Sequence, residues 1–153
     1  MSNSIKNNKS DFICKIELKD LISHLLRRAH FSAESQFTKL IGEHSGLTSR
    51  QLAVLVCVEQ SPGMTQKQLA EMISLDENST SNLVSRMLDK KYITRKKLPD
   101  DARSNSLFIN PQGKKISKRA TSHNPAYQRK ITERLTISEK EELSRLLCKM
   151  LDI

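Results

Sequence analysis

Apolar positions recur at steps of three and four from Phe12 to about His44: Leu18, Leu21, Ile22, Leu25, Leu26, Ala29, Ala33, Phe37, Leu40 and Ile41. That is the period of one helix face. A helix this long in a chain of 153 residues is expected to pack against a second subunit. Residues 1–11 before it read as a polar arm. Thr48 to Gln51 and Thr65 to Gln68 each carry the Ser/Thr-x-x-Gln pattern that caps a helix start. The first opens a helix whose body, Leu52 to Val58, is apolar nearly all round and so predicted to be buried. Ser61-Pro62-Gly63 ends it. The second opens a short helix through Ile73. Asp76 is the expected N-cap of a third, running to about Lys91, with Thr80, Leu83, Val84, Met87 and Leu88 on its inner face.

The period then changes. Tyr92 to Leu98 reads as a strand, Pro99 to Ala102 as a turn, and Ser104 to Ile109 as the returning strand of a hairpin. Asn110-Pro111 supplies an N-cap with Pro at the first helical position, and a helix follows to about Ala120. Ser122 to Pro125 breaks or kinks it. Ser138 to Glu141 forms a capping box for a C-terminal helix with Leu143, Leu146, Leu147, Met150 and Leu151 on one face. The predicted fold class is mainly α with a small β-hairpin wing: a winged helix-turn-helix with N- and C-terminal dimerisation helices. The expected divisions are 1–46 for the arm and first dimerisation helix, 47–110 for the winged helix-turn-helix, and 111–153 for the remaining dimerisation helices.

Charge sharpens this picture. The chain carries a net charge of +9, which favours polyanions. Between Met64 and Arg119, twelve Lys/Arg stand against six Asp/Glu, so the excess falls on the helix-turn-helix and hairpin. With no Trp, two Tyr and four Phe, the chain lacks the aromatic platforms of single-strand binders. Four Gly argue against a phosphate-binding loop. No metal-spaced His/Cys/Asp cluster and no nucleophile elbow is present, so neither catalysis nor a cofactor or metal is expected. Cys14, Cys57 and Cys148 make no paired pattern and suit reduced thiols in the cytoplasm. Cys57 and Cys148 read as core or interface filler. No run approaches a membrane span, and no secretory leader is seen.

In a helix-turn-helix the second helix enters the major groove. The helix from Asp76 presents Asn78, Ser79, Ser81, Asn82, Ser85 and Arg86 opposite its apolar face. Short polar side chains allow close approach, Asn can pair adenine, and Arg can pair guanine. An ordinary solvated face would carry more Glu and Lys. The hairpin adds Arg95, Lys96 and Lys97 on one strand and Arg103 past the turn, with Asp101 two residues before it. A basic hairpin reaches phosphates and the minor groove, and Asp101 is suited to orient the Arg103 guanidinium.

Leu47-Thr48, Gln51 to Leu55, Met64-Thr65-Gln66, Leu69-Ala70, Leu75-Asp76, Ser79-Thr80, Leu83-Val84, Leu88 and Ile93 resemble the multiple antibiotic resistance regulator (MarR) family. So does the wing, Asp101-Ala102-Arg103 followed by Leu107 to Asn110 and Gly113. The likeness spans roughly Leu21 to Lys118. Asn110 stands where Thr is common, which keeps the capping role; Lys91 stands where Gly is common. The resemblance implies a homodimer with two recognition helices in successive major grooves of a pseudo-palindromic double-stranded DNA operator. It also implies Arg103 in the flanking minor groove. The expected DNA contacts are Thr65, Gln66, Asn78, Ser79, Ser81, Asn82, Ser85, Arg86, Lys96, Asp101 and Arg103.

The family resemblance also implies a pocket for phenolic or aromatic carboxylate effectors. His24, Arg28 and His30 beside the apolar stripe of the first helix are the expected ligand residues, and aromatic-acid members resemble this chain in a histidine at the position of His30. The competing reading makes these three surface or interface residues paired with Glu17, Glu34 or Glu43. Two further alternatives stand beside a ligand-released repressor: a regulator sensing oxidation through Cys14, and a nonspecific nucleic-acid binder.

Overall fold

The computed structural model describes residues 17–98 and 101–153, and at 98 and 101–105 the backbone alone. The described chain divides at Phe31/Ser32 into two compact units. The first contains a 3-10 turn, Leu18–Asp20, and the opening turns of α1 (Ile22–Phe37). Leu18, Ile22, Leu25 and Phe31 are all exposed there. The part of the first predicted helix before Glu17 lies outside the described residues.

In the second unit α1 ends at Phe37 and a single π-helical turn, Thr38–Gly42, leads into α2 (Glu43–Ser45). The continuous helix expected to His44 is thus interrupted by a wider turn. Gly46 stops it at φ +71°, the left-handed C-terminal position that glycine fills without strain. The Thr48 hydroxyl then accepts from the Gln51 N–H while the Gln51 side chain accepts from the Thr48 N–H, and α3 (Ser49–Gln60) begins. Thr65 and Gln68 repeat this exchange at the start of α4 (Gln66–Met72). Asp76 caps α5 (Glu77–Asp89), its Oδ1 accepting from the Ser79 N–H at 2.8 Å.

Three strands follow in the spatial order β1-β3-β2, all antiparallel. β2 (Ile93–Leu98) and β3 (Asp101–Ile109) form the expected hairpin, β3 beginning three residues earlier than the sequence suggested. β1 (Met64–Thr65) was not foreseen; it pairs Met64 with Leu107 and Thr65 with Ser106. Asn110 caps α6 (Pro111–Thr121). The predicted break falls at His123, where α7 (Asn124–Ile131) starts. α8 (Ile137–Leu151) is capped by Thr136 with Glu139, two residues before the box expected at Ser138. Thr136-x-x-Glu139 and Ser138-x-x-Glu141 overlap. The earlier box prevails, and the helix gains two hydrogen-bonded residues at its start.

The core of this unit gathers Ile41, Val54, Leu55, Val58, Leu69, Val84, Met87, Leu107 and Ala120, each fully buried. Each large side chain contributes roughly 1.5–3 kcal/mol. α3 supplies three of these residues, as its all-round apolar body predicted. Cys57 packs half-buried on the same core, and burial pushes its thiol above the ordinary range, keeping it protonated. Cys148 is half-buried on α8, and Cys14 lies outside the described residues.

Gly113 is required by packing. A Cβ there would overlap the Tyr92 carbonyl and come within 2.9 Å of Ile109 Cγ1. Helix α6 therefore starts flush against the base of the wing.

Candidate nucleic-acid interface

α5 is two-faced. Thr80, Val84 and Met87 are completely buried, with Leu83 and Leu88 half-buried beside them. On the opposite side Asn78, Asn82, Ser85 and Arg86 are exposed, and Ser79 and Ser81 are half-exposed. The six polar positions expected to meet DNA therefore line the outward side of a helix whose inner side is locked into the core. Thr80 is an exception on the buried face: among the described residues its hydroxyl has no hydrogen-bond partner.

Side chains beyond α5 complete this surface. A cleft of about 450 Å³ runs along the helix, where Ser79, Asn82 and Arg86 meet Ser49 and Arg50 from the first turn of α3. Glu34 borders it and accepts from the Ser49 hydroxyl at 2.9 Å. Arg50 was not legible as part of the site, because its position in the first turn of a buried helix gives no sign of which element it faces.

The other expected contacts separate into two groups. The Thr65 hydroxyl is engaged in the cap of α4, accepting from Gln68 N–H and donating to Gln68 Oε1 at 3.1 Å. Gln66 accepts a hydrogen bond from Arg95 Nη2 at 2.9 Å, which ties the wing to α4. Lys96 is exposed and sits 5.4 Å from the centre of the Phe108 ring, a cation–π distance. Asp101 and Arg103 lie on β3 near the hairpin turn. Orientation of Arg103 by Asp101 falls outside the described side chains.

The wing has a closed base. Asn110 Oδ1 accepts from the Gly113 N–H at 2.8 Å while its Nδ2 donates to the Lys91 carbonyl. Lys91 itself takes φ +55°, a left-handed conformation that favours glycine.

Of the expected ligand residues, His24 and Arg28 stand four apart on α1 and share a helix face. Arg27 Nη2 lies 3.5 Å from His24 Nδ1. His30 points elsewhere, about 200° around the helix from Arg28, with its ring tilted beside Phe31 at 5.8 Å. One copy of α1 thus brings two of the three residues together. Among the described residues no cluster of three or more His, Cys, Asp or Glu is placed to hold a metal. No described helix is long and apolar enough to cross a membrane.

Residues 47–104, from the start of α3 into the wing, match the model of the MarR family. Over that stretch the chain is similar to the MarR family. The match and the relatives that follow support a transcriptional regulator of the MarR type. It is 27% identical, over 80% of its length and 74% of the relative's, to a protein of Thauera aromatica named as a transcriptional regulatory protein for the hcr operon. Two solved structures share the fold. BpsR of Bordetella bronchiseptica, described with regulation of its DNA binding by 6-hydroxynicotinic acid, superposes with a TM-score of 0.84 at 21% identity, over 90% of this chain and 98% of its own. A MarR variant from Escherichia coli complexed with operator DNA superposes at 0.79 with 20% identity, over 84% and 92%.

Proposed function

We propose that this chain is a homodimeric repressor that binds a pseudo-palindromic operator through α5 and the wing and is released from it by a small aromatic carboxylate. The observation that carries the DNA half is the two-sided character of α5. Its inner face is fixed by Thr80, Val84 and Met87, and its outer face presents Asn and Ser beside Arg86. Those are the side chains that read base edges. Lys96 and Arg103 on the adjoining hairpin supply the backbone and minor-groove contacts.

Two further observations support the rest. α8 has no buried residue, and Leu143, Leu146, Met150 and Leu151 are exposed by 42–60%, which suits burial against a second copy. His24 and Arg28 on one face of α1, beside exposed Leu21 and Leu25, offer a donor and a cation next to apolar surface for a carboxylated ring. The effector acts by preferring the dimer whose recognition helices are wrongly spaced for DNA. The test is selection from random double-stranded DNA at physiological salt, with and without a panel of small aromatic acids. A palindromic site lost on adding one compound is the expected result. A site indifferent to every compound removes the effector from the reading, and no enriched site removes sequence-specific binding.

A further inference from the structure

The sequence places Arg95 in a basic run with Lys96 and Lys97, where charge alone would assign it to the DNA backbone. Its geometry differs. Arg95 pairs with Leu107 on β3, and Leu107 pairs in turn with Met64 on β1. The three residues form one row across the sheet, and their side chains share the face turned toward the core. Leu107 and Met64 are buried there. Arg95 stands at the exposed end of the row and turns its guanidinium toward α4, where Nη2 meets Gln66 Oε1 at 2.9 Å.

We propose that Arg95 is a positioning residue for DNA recognition: it holds the Gln66 carboxamide oxygen inward, so that Gln66 offers DNA only its N–H donors. This rests on the DNA-binding reading above. The orientation of the amide follows from chemistry, because a guanidinium has donors and no acceptor. Only the oxygen of Gln66 can face it. The Nε2 group is then turned outward, at the first residue of α4 and beside the hairpin. A free glutamine reads adenine by accepting from N6 and donating to N7 at once. Gln66 with its oxygen turned to Arg95 presents its donors to acceptors: a phosphate oxygen, N7 of either purine, O6 of guanine or O4 of thymine. The neighbouring Gln68 is not the acceptor for Arg95, since its oxygen is held by Thr65 in the α4 cap.

The experiment measures binding of wild type, Arg95→Ala, Arg95→Lys, Gln66→Ala and the Arg95→Ala/Gln66→Ala double variant to the operator selected by wild type, across a range of salt concentrations. The expected result is a five- to tenfold loss for Arg95→Ala with an unchanged salt slope, and a double variant within twofold of Gln66→Ala alone. Arg95→Lys should restore most of the affinity, because an ammonium also donates to the amide oxygen. A direct backbone contact would instead lower the salt slope by about one and add to the Gln66→Ala loss; that result overturns the proposal, as does an Arg95→Ala variant that binds like wild type. The side-chain amide signal of Gln66 in the free protein supplies a second readout. It should move in Arg95→Ala and stay in Arg95→Lys, and no movement in Arg95→Ala overturns the tether even if binding falls. If wild type selects no operator, the parent reading fails, a result distinct from additive losses on a selected site.

Discussion

Helices α5 and α8 are built on one plan and end in opposite situations. Each is amphipathic, and each starts with a side chain accepting the N–H of the third helical residue: Asp76 from Ser79, Thr136 from Glu139. Yet α5 has Thr80, Val84 and Met87 wholly inside its own protomer, and α8 has no buried residue at all. An apolar stripe therefore says that a helix face needs a partner and not which chain provides it. Where the face is covered from within, the opposite face is free to carry recognition. Where it is bare, the face is open to a partner, which the proposed homodimer would supply.

The strongest test of this contrast is Met87→Ala. It leaves a cavity in a fully packed site and should cost about 2–5 kcal/mol, read as a lower urea midpoint with an unchanged slope. A loss no larger than that of an exposed leucine on α8 would show that α5 is not anchored as described. Next is the pair Leu143→Ser with Leu146→Ser, which removes apolar surface from a helix that covers nothing in its own chain. The dimer should weaken by roughly 2–3 kcal/mol, about a hundredfold in dissociation constant, while helix content holds. Sedimentation unchanged at micromolar concentration would remove α8 from the proposed dimer contact. Asn82→Ala should lower discrimination among bases by about 1–3 kcal/mol with little loss of nonspecific affinity; the reverse pattern would make Asn82 a backbone contact. Thr80→Val should stabilise the fold by about 1 kcal/mol, since it replaces a buried hydroxyl lacking a partner with a methyl of similar size. A destabilised variant would reveal a partner for that hydroxyl.

Acid should erase part of the contrast. The Ser79 hydroxyl and N–H hold the Asp76 carboxyl below its ordinary range, and the Thr136 N–H and hydroxyl do the same for Glu139. A carboxyl with a depressed native pKa contributes stability above its unfolded value and loses it as pH falls through the native one. Both helix starts should therefore weaken together in the acid range. Urea titrations from pH 5 to 3 should show a shallower decline in an Asp76→Asn/Glu139→Gln variant, whose neutral side chains still cap. Parallel declines would remove these two groups as the cause.

Local chemistry was the legible part of this molecule. The boxes at Thr48 and Thr65, the Asp76 cap and the Asn110-Pro111 start each depend on residues within four positions of one another, and each stands as expected. The outward row of α5 was legible for the same reason. What escaped depends on distance along the chain. β1 exists only because Met64 finds Leu107, and two residues have no period of their own. Arg95 meets Gln66 across 29 positions, and Arg50 joins the α5 cleft through packing. The π turn at Thr38–Gly42 was hidden because its apolar spacing continues that of α1. At the C-terminus two overlapping boxes left the helix start ambiguous by two residues.

The two bonds of Asn110 make a rivet. Its oxygen fastens the first turn of α6 and its nitrogen fastens Lys91, the residue from which the wing departs. The hairpin between them is a lever with this rivet at its root and the Arg95–Gln66 bond as a stay, and Gly113 leaves no clearance between the rivet and the strand beside it. The start of α6 and the root of the wing are therefore one joint, so the hairpin that carries Arg103 takes its direction from the same residue that begins the helix.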